Sequence, residues 1–399
     1  MPNTVKYKFI IIMKNLNPFK IVVSIFLLTF SACQPKTEIL KENLQAKLEE
    51  IKTEKHMPGI SAAITLPDNN TLAFTSGYSD TLSETKLLPS DRLMAGSIGK
   101  SFVAAIILKM VEAKEISLDD KISKWFGNTE IYSQIPNADD ITIRMLLSHR
   151  TGWVQHFFES QNFINDLFAK LSVNPDNYFS PEEILNYVTY DQALFPADSL
   201  FHYSDMNYIA LGNIIEKETG KNYYDILQES ILTPFELRNI IPANKRELEG
   251  LVNGYINPED PMASMSPTSM QNGALVFNPS IEFTGGGLAS NPADLARWAK
   301  ILWNAEFLNK NSVQELTTKY GSEPKFGIEG YGFGTEIWQT ELGVLYGHTG
   351  YYTGYNSIMG YFPEYNIAIA VQINRDYNNG DLTQIVADLT KIAIDIINK

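Results

Sequence analysis

The chain has 399 residues, of which 44% are hydrophobic and 20% are charged. This composition is ordinary for a globular protein, and the length allows one composite domain or two. A formal net charge of −14, with no basic cluster among aromatic residues, argues against nucleic acid as a partner.

The first 33 residues are typical of an export signal. Lys14 and Lys20 precede the apolar run 21–32, which is too short to span a bilayer but suits the core of a signal peptide. The run ends at Cys33, the single cysteine of the chain, and this ending is similar to a bacterial lipoprotein signal. We predict lipidation at Cys33, a tether over 34–40, and a lipid-anchored protein of a bacterial cell envelope, facing the periplasm or the surface. The alternative is a plain signal peptide with an incidental cysteine.

The next part of the chain is predicted to contain a helix, two strands and then further helices. Residues 41–55 carry apolar side chains on one side of a helix, and 59–65 and 71–75 are short apolar strands around a turn. After Lys100 the apolar residues take helical spacing. Further helix starts, each with a polar cap followed by proline, are predicted at Ser180 and Asn291.

The end of the chain returns to strands. Residues 357–362 and 367–373 are predicted to form a hairpin, and the last segment carries an apolar helical stripe. Strands at both ends around a helical middle indicate an α+β fold, with one antiparallel sheet built from both chain ends, flanked by helices, and an inserted, mainly helical lobe. We assign 41–399 to this domain, with its α/β part at about 41–95 and 281–399 and its helical part at about 96–280.

Ser97 and Lys100 stand three residues apart at the start of an apolar helix. This spacing puts both side chains on one helical face, where the lysine can reach the serine hydroxyl and lower the barrier to its deprotonation. Serine–lysine acyl-transfer enzymes need this arrangement. The motif is common by chance, so its meaning depends on further site elements downstream.

Those further elements occur in the order that such a site needs. Tyr203 to Asp205 precede a helical run, Gly285 to Ser290 form a glycine turn, His348 to Gly350 precede the hairpin, and a leucine-rich segment ends at His149. With Ser97 to Lys100 they resemble the penicillin-recognising serine hydrolases of the class C β-lactamase type, whose elements are S-x-x-K, Y-x-N and K-T-G or H-T-G. This family includes D-alanyl-D-alanine carboxypeptidases and related esterases, and the resemblance covers roughly residues 45–399.

The resemblance implies a role for each element. Ser97 is the expected nucleophile, Lys100 supplies positive charge or a base, and Tyr203 is similar to the tyrosine that moves a proton between nucleophile and leaving group. The backbone N–H groups of Ser97 and Tyr351 are the expected oxyanion hole. His348 and Thr349 are expected to line the strand edge that receives the substrate, often with its carboxylate.

Two residues depart from the family pattern. Asp205 stands where the family usually has asparagine, and it offers no amide donor and adds negative charge near Lys100. Weaker binding of β-lactams or peptides is therefore expected, with Asn207 as a candidate substitute donor; a helix cap at Asp205 is the structural alternative. His348 replaces the lysine of typical β-lactamases, so carboxylate binding should depend on pH. Lys100 and His348 are also the candidate cations that would stabilise a Tyr203 phenolate.

The remaining histidines do not indicate a metal site. His149 is interpreted as a buried, hydrogen-bonded residue, and His56, His156 and His202 as structural or surface residues. No paired-histidine spacing typical of metal ligands is present in the sequence. We therefore predict neither a metal nor another cofactor.

These observations predict a serine hydrolase that forms an acyl-enzyme on an amide, peptide or ester bond. The resemblance favours a D-alanyl-D-alanine carboxypeptidase-like peptidase, with a β-lactamase or a carboxylesterase as the alternative. A sensor that binds β-lactams or cell-wall fragments without turnover is a further alternative. The expected partners are a small peptide, β-lactam or ester substrate, peptidoglycan fragments, and the membrane through the lipid anchor.

Overall fold

The computed structural model of the chain describes residues 36–324, 327–376 and 379–398. The predicted lipoprotein signal over 1–33 and its lipidation site Cys33 lie outside these residues. Within the described ranges, no helix is both long enough and apolar enough to cross a membrane.

The described ranges contain both helices and strands, and the helices between Gly99 and Leu227 follow one another without an intervening strand. The α-helices are α1 (Lys36–Glu54), α2 (Gly99–Glu112), α3 (Ser123–Phe126), α4 (Ile143–Leu147), α5 (His156–Glu159), α6 (Gln161–Val173), α7 (Pro181–Asn186), α8 (Asp205–Thr219), α9 (Tyr223–Leu227), α10 (Phe283–Gly286), α11 (Pro292–Trp303), α12 (Lys310–Leu316) and α13 (Asn379–Ile397). The strands are β1 (Gly59–Thr65), β2 (Thr71–Asp80), β3 (Thr85–Lys86), β4 (Leu93–Met94), β5 (Ile241–Pro242), β6 (Met270–Gln271), β7 (Ala274–Leu275), β8 (Leu288–Ser290), β9 (Gly321–Glu323), β10 (Ile328–Tyr331), β11 (Glu336–Thr340), β12 (Gly343–Tyr352), β13 (Tyr355–Phe362) and β14 (Ile367–Ile373). Short 3₁₀ turns at Gly96–Ile98 and Pro279–Glu282 lead into α2 and α10.

One antiparallel sheet joins the two ends of the chain. Its nine strands run in the order β3-β2-β1-β14-β13-β12-β11-β10-β9, and β1 pairs with β14 from Ile60 opposite Ile373 to Thr65 opposite Ala368. Every residue of these two strands is buried, as expected for strands that are covered on both faces. The predicted α+β fold, with an antiparallel sheet built from both chain ends and flanked by helices, is confirmed.

The side chains of β14 alternate between two apolar cores. Ile369 and Val371 belong to the core that contains α1 and α13, whereas Ala368 and Ala370 belong to the core that contains α11 and the helical part of the chain. This alternation follows from the two-residue period of a strand. The small alanine side chains leave room for α11 to lie close to the sheet.

The first helix begins earlier than the sequence predicts. Residues 36–40, assigned to a polar tether, form the first turns of α1. Leu40 is buried together with Leu44, Leu48 and Ile51. Since these residues are three or four apart, Leu40 extends the same apolar stripe by one turn. The part of the predicted tether that the structure describes is therefore helical.

Two of the predicted helix starts are confirmed. The Ser180 hydroxyl accepts a hydrogen bond from the Glu183 N–H at 3.2 Å, and the Glu183 carboxylate accepts one from the Ser180 N–H at 3.0 Å. This is a complete capping box at α7. At α11 the Asn291 side chain accepts from the Asp294 N–H, and Pro292 occupies the first helical position.

A small second sheet connects the start of α2 with the glycine turn at 285–287. Its strands run in the order β4-β8-β5, with Met94 opposite Ala289. One residue further on, the Ala95 N–H donates to the Leu288 carbonyl at 2.9 Å. The residues just before Ser97 are thereby held beside the residues just after the glycine turn.

Candidate active site

Ser97 lies in a tight turn between β4 and α2. Gly96, the residue before it, has a φ of +55°, a conformation that favours glycine. A Cβ atom on Gly96 would lie 2.6 Å from the Tyr351 nitrogen and 2.5 Å from the Tyr351 carbonyl oxygen. Only a glycine therefore allows the turn to approach β12 this closely, and the approach brings the Tyr351 backbone next to the turn that carries Ser97.

The Lys100 side chain is fully buried and has three acceptors. Its Nζ lies 2.9 Å from the Ser97 Oγ, 2.5 Å from the Gly285 carbonyl oxygen and 2.5 Å from the Asp205 Oδ1. An ammonium group has three N–H donors, so each donor has a partner. The one-turn spacing of Ser97 and Lys100 thus brings the amine and the hydroxyl together, as the sequence predicts.

Asp205 is an ion-pair partner in this structure. It is the first residue of α8, whose cap residue is Ser204. The Gln155 side chain binds it on both sides, since the Asp205 N–H donates to the Gln155 Oε1 at 3.1 Å and the Gln155 Nε2 donates to the Asp205 Oδ2 at 2.8 Å. Burial raises the pKa of Asp205, but the positive charge of Lys100 and the hydrogen bonds outweigh it, so the pKa lies below its usual value.

Tyr203 contributes a buried hydroxyl to the site. Its ring centre lies 5.0 Å from the Lys100 Nζ, and the ring packs on His149 with 4.3 Å between the ring centres. The hydroxyl makes no well-formed hydrogen bond with the part of the chain that the structure describes. Burial raises the pKa of Tyr203 well above its usual value and the charge of Asp205 raises it further, while the Ser97 hydroxyl opposes the rise. Tyr203 is therefore a neutral phenol at pH 7.

A chain of neutral hydrogen bonds connects the two buried histidines of the site. The Ser204 N–H donates to the His149 Nδ1 at 3.2 Å, which leaves the His149 Nε2–H to donate to the Tyr331 hydroxyl at 3.1 Å. The Tyr331 hydroxyl in turn donates to the His348 Nε2 at 2.9 Å. The interpretation of His149 as a buried, hydrogen-bonded residue agrees with this geometry.

His348 differs from its predicted role as a partly charged carboxylate binder. Its side chain is fully buried, and burial together with the charge of Lys100 lowers its pKa to about 3. It is therefore neutral near pH 7, because a desolvated imidazolium beside an ammonium is unfavourable. The rings of His348 and Tyr203 nevertheless lie 6.4 Å apart, centre to centre, so the structure brings both residues to the same place.

Asn207 does not replace the missing amide donor. Its Oδ1 accepts from the Thr151 hydroxyl at 2.7 Å, and its Nδ2 lies 3.0 Å from the His149 Nδ1. The side chain is fully buried in these contacts. The candidate role of Asn207 as a substitute donor does not agree with this geometry, because Asn207 lies further along α8 and points to another partner.

A cavity of about 770 Å³ opens beside Ser97. Tyr203, Asp205, Thr349 and Tyr351, all predicted as site residues, are among the side chains that line it. The Thr349 N–H and hydroxyl donate to the buried Glu336 carboxylate at 3.0 and 2.9 Å. Burial raises the pKa of Glu336 to about 8 despite these hydrogen bonds.

Sequence reasoning missed three residues of this site. Gln155 and Glu282 lie in or next to irregular stretches, and Glu336 lies on β11, without a motif around any of them. They enter the site through contacts between residues that are far apart in the chain.

Within the described residues, no group of three or more histidine, cysteine, aspartate and glutamate side chains is arranged to hold a metal ion.

The sequence matches a known protein family and is similar to described proteins. Residues 44–389 match the family model described as Beta-lactamase. The chain is 25% identical over 354 residues to an unguisins hydrolase of Aspergillus campestris, an alignment that covers 81% of this chain and 60% of that protein. It is 24% identical over 291 residues to Penicillin-binding protein 4* of Bacillus subtilis, which covers 71% of this chain and 60% of that protein. The chain thus spans about 60% of the length of these relatives.

A solved structure shares the fold. A D-stereospecific amidohydrolase from Streptomyces sp. superposes with a TM-score of 0.73 at 24% identity, covering 86% of this chain and 97% of that chain. The family match spans most of the sequence, and both the antiparallel sheet and the serine–lysine pair at the start of α2 accord with it. The chain therefore belongs to the beta-lactamase family of serine hydrolases.

Proposed function

We propose that this protein hydrolyses amide or peptide bonds of a small substrate through an acyl-enzyme on Ser97. The observation that carries the proposal is the 2.9 Å contact between the Lys100 Nζ and the Ser97 Oγ at the wall of a cavity of about 770 Å³. A cavity of this volume is typical of small-molecule sites. The Streptomyces relative, a D-stereospecific amidohydrolase, favours amides among the bonds that the family attacks.

In the proposed acylation, Lys100 moves the proton of the nucleophile. The Lys100 Nζ contacts both the Ser97 Oγ and the Asp205 Oδ1. As the Ser97 oxygen bonds to the substrate carbonyl carbon, its proton passes to Lys100, which has given a proton to Asp205. Lys100 is again an ammonium at the end of this transfer, and Asp205 holds the extra proton.

The leaving group and the oxyanion are served by other groups of the site. Tyr203, a neutral phenol beside Ser97, protonates the leaving nitrogen, and the proton on Asp205 then returns through Lys100 to the phenolate. The N–H groups of Ser97 and Tyr351 are the proposed donors to the carbonyl oxygen as it gains negative charge. The same steps in reverse let water cleave the acyl-enzyme.

A carboxypeptidase of the D-alanyl-D-alanine type receives less support than a general amidase or peptidase. Such an enzyme binds a substrate carboxylate, and the residues expected to do so were His348 and Thr349. His348 is neutral near pH 7, and the Thr349 hydroxyl donates to Glu336. A substrate carboxylate would meet the Glu336 carboxyl group and no free cation at this position.

The proposal is tested by following the intact mass of the protein with three acylating compounds. These are an amino-acid p-nitroanilide, p-nitrophenyl acetate and a fluorescent penicillin. We expect an acyl adduct that forms and decays with turnover of the anilide, no adduct in Ser97→Ala, and acylation slowed by about 100-fold or more in Lys100→Ala. Labelling of Ser97→Ala would exclude Ser97 as the nucleophile, and a lasting adduct without turnover of any compound would indicate a sensor.

We also propose, from the sequence pattern alone, that the protein is exported and lipid-anchored at Cys33 in a bacterial envelope. The full chain and its Cys33→Ser variant are expressed in a bacterium with a radiolabelled fatty acid. The full chain is expected in the membrane fraction with label, and Cys33→Ser without label. A full chain that is unlabelled would contradict the proposal.

A further inference from the structure

The cavity beside Ser97 is rich in carboxyl groups. Those that line it are Glu159, Asp205, Asp260, Glu282, Glu323 and Glu336. No lysine or arginine is among the lining side chains of the described residues, and His202, which lines it, is paired with Glu159 at 2.8 Å. A cavity of this composition attracts cations and repels anions.

Most of these carboxyl groups have partners. Asp205 is paired with Lys100, Glu336 accepts from Thr349, and Asp260 accepts from the Tyr351 hydroxyl and from a backbone N–H. Glu282 and Glu323 are different, because neither side chain makes a hydrogen bond or an ion pair with any residue in the described part of the chain. Of the two, Glu282 is the one close to the catalytic groups, since the charges of Asp205 and Lys100 act on it and not on Glu323. A partly buried carboxyl group without a partner is costly, so such a group is expected to have a function.

The backbone holds Glu282 near the reaction centre. Glu282 ends the 3₁₀ turn before α10, three residues before Gly285, whose carbonyl oxygen accepts from Lys100. The next residue, Phe283, has a φ of +36°, which is strained for a residue with a side chain. The charges of Asp205 and Lys100 both act on Glu282, which places its carboxyl group within their electrostatic reach.

We propose that Glu282 is a specificity residue that binds the ammonium group of the substrate, and that the cavity selects amides or peptides with a free amine beside an apolar side chain. This inference rests on the proposed function of the same cavity. An ammonium group would give Glu282 its missing partner, whereas a carboxylate in its place would face like charges. The apolar side chain would contact the aromatic residues of the wall, which are Phe157, Phe158, Phe163, Phe168, Phe277, Trp338 and Tyr352.

The electrostatics of Glu282 agree with this assignment. Burial, with the charge of Asp205, raises the pKa of Glu282 to about 8. Glu282 thus carries a proton for much of the time near pH 7 when no cation is bound. An ammonium group would stabilise the charged form and displace that proton.

The test uses three p-nitroanilides of phenylalanine that differ only at the α-nitrogen, each in both enantiomers. The first has a free amine, the second an N-acetyl group and the third an N-succinyl group, so the charge at this position is positive, zero or negative. We expect kcat/KM to fall in this order for the preferred enantiomer, with about tenfold between the first two. In Glu282→Gln the ratio of the free-amine to the N-acetyl value is expected to fall by about tenfold.

The matched control is Glu341→Gln, which changes the same side chain on the surface, where it pairs with Lys391. It is expected to keep the wild-type ratio. A wild-type enzyme that hydrolyses the N-acetyl or N-succinyl substrate as well as the free amine would overturn the inference, as would an unchanged ratio in Glu282→Gln. The wild-type ranking decides the matter by itself if Glu282→Gln does not fold.

The same assay separates this inference from the proposed function. Hydrolysis of p-nitrophenyl acetate through Ser97 reports on the catalytic groups and does not involve an ammonium group. If the ester is turned over and the anilide ranking fails, only the specificity role of Glu282 is wrong. If neither the ester nor any anilide acylates Ser97, the proposed function itself is wrong and the inference with it.

Discussion

At Lys100, three acceptors from three segments of the chain meet one ammonium group. Ser97 is one helical turn away, while Asp205 and Gly285 come from two other segments. The aspartate differs from the asparagine of the family pattern, and it neutralises the charge of Lys100. The Asp205 charge also acts on Tyr203. Burial raises the pKa of Tyr203, and the Asp205 charge raises it further. The resting site therefore holds a neutral phenol and a compensated ion pair.

Replacing Tyr203 by phenylalanine should separate catalysis from stability. The hydroxyl is buried and unpaired among the described residues, so its loss should leave the free energy of unfolding unchanged or slightly higher. Hydrolysis should slow by about 100-fold or more, because the leaving group loses its acid. The measurements are kcat and the urea midpoint.

The control for this change is Tyr208→Phe, because the rings of Tyr203 and Tyr208 both pack on His149. The Tyr208 hydroxyl donates to the Leu147 carbonyl at 2.9 Å, so its loss should cost about 1 kcal/mol. A Tyr203→Phe variant that keeps full activity would remove Tyr203 from the proton path.

Replacing Asp205 by asparagine tests the proton transfer to that carboxylate. Asparagine keeps one acceptor oxygen in place of the two that bind Lys100 and Gln155, and it is not a base, so we expect amide hydrolysis at pH 7 to fall by about tenfold or more. The alkaline limb of its pH profile should move to lower pH, because Tyr203 loses the neighbouring charge that raises its pKa and therefore gives up its proton at a lower pH. The measurement is kcat/KM against pH, with Asp388→Asn on the surface as the control.

Two outcomes of the Asp205→Asn experiment would speak against the transfer. An unchanged pH profile would show that Asp205 takes no proton during the reaction. Faster acylation by penicillin with the same pH profile would show that Asp205 acts only by lacking the amide donor of asparagine.

At the scale of elements, close backbone packing connects the serine turn with β12. Gly96 lies against Tyr351, and Gly350 lies against Ala95, where a Cβ atom would be 1.9 Å from the carbonyl oxygen. The Ser357 hydroxyl on β13 also donates to that carbonyl at 2.7 Å. The proposed oxyanion hole thus depends on contacts between a turn and a strand in which no side chain fits.

Replacing Gly96 by alanine should displace the serine turn from β12. The change adds a steric clash to the strain of a positive φ, so we expect a loss of about 2 kcal/mol or more in stability. Acylation of Ser97 should slow by about 100-fold, because the donors to the oxyanion move apart. The measurements are urea unfolding and the rate of labelling by fluorescent penicillin.

Gly220→Ala is the matched control for the backbone effect. Gly220 has a φ of +67°, and a Cβ atom there meets nothing within 4 Å. This variant should lose about 1 kcal/mol of stability and keep its acylation rate. Equal acylation rates in the two alanine variants would contradict the importance of the contact between Gly96 and Tyr351.

At the scale of the whole molecule, many titratable groups are buried, and they act on stability in opposite directions. Burial lowers the pKa of His348 to about 3 and of His156 to about 4, and that of His149 well below its usual value. Burial raises the pKa of Glu282 and Glu336 to about 8. The histidines favour the folded state at higher pH, whereas these two glutamates favour it at lower pH.

Folding stability should therefore reach its maximum near pH 6.5. As the pH falls below 6.5, the unfolded histidines bind protons that the folded ones do not, which costs up to about 1.4 kcal/mol per pH unit for each histidine. The two glutamates oppose this loss, so the net decrease corresponds to the excess of three histidines over two glutamates. As the pH rises from 6.5 to 8, the folded glutamates keep protons that the unfolded ones have lost, so stability again decreases. The measurement is the free energy of unfolding in urea from pH 4.5 to 8.5.

The His156→Phe variant tests the acid side of this curve. Both ring nitrogens of His156 are buried without a partner among the described residues, so a phenylalanine should be tolerated and make the decrease below pH 6.5 less steep. A stability that rises steadily from pH 6.5 to 8 would contradict the glutamate part of the argument.

The sequence by itself determined what depends on near neighbours. Helical geometry puts Ser97 and Lys100 on one face. The Ser180 capping box and the hairpin near the C-terminus follow from local chemistry. The order of the motifs identified the family. The apolar spacing of α1 was visible in the sequence. Leu40 was nevertheless assigned to a tether, because the sheet that buries it is formed by residues that come later in the chain.

Only the tertiary structure decided the electrostatics of the site. Gln155, which binds Asp205, meets the catalytic groups through long-range packing. Glu282 does the same, and no local sequence pattern records either contact. Burial, which makes His348 neutral and keeps Tyr203 protonated, is a property of the whole fold. Charge states depend on how much water and which charges surround a group, and these are set only when distant segments pack together.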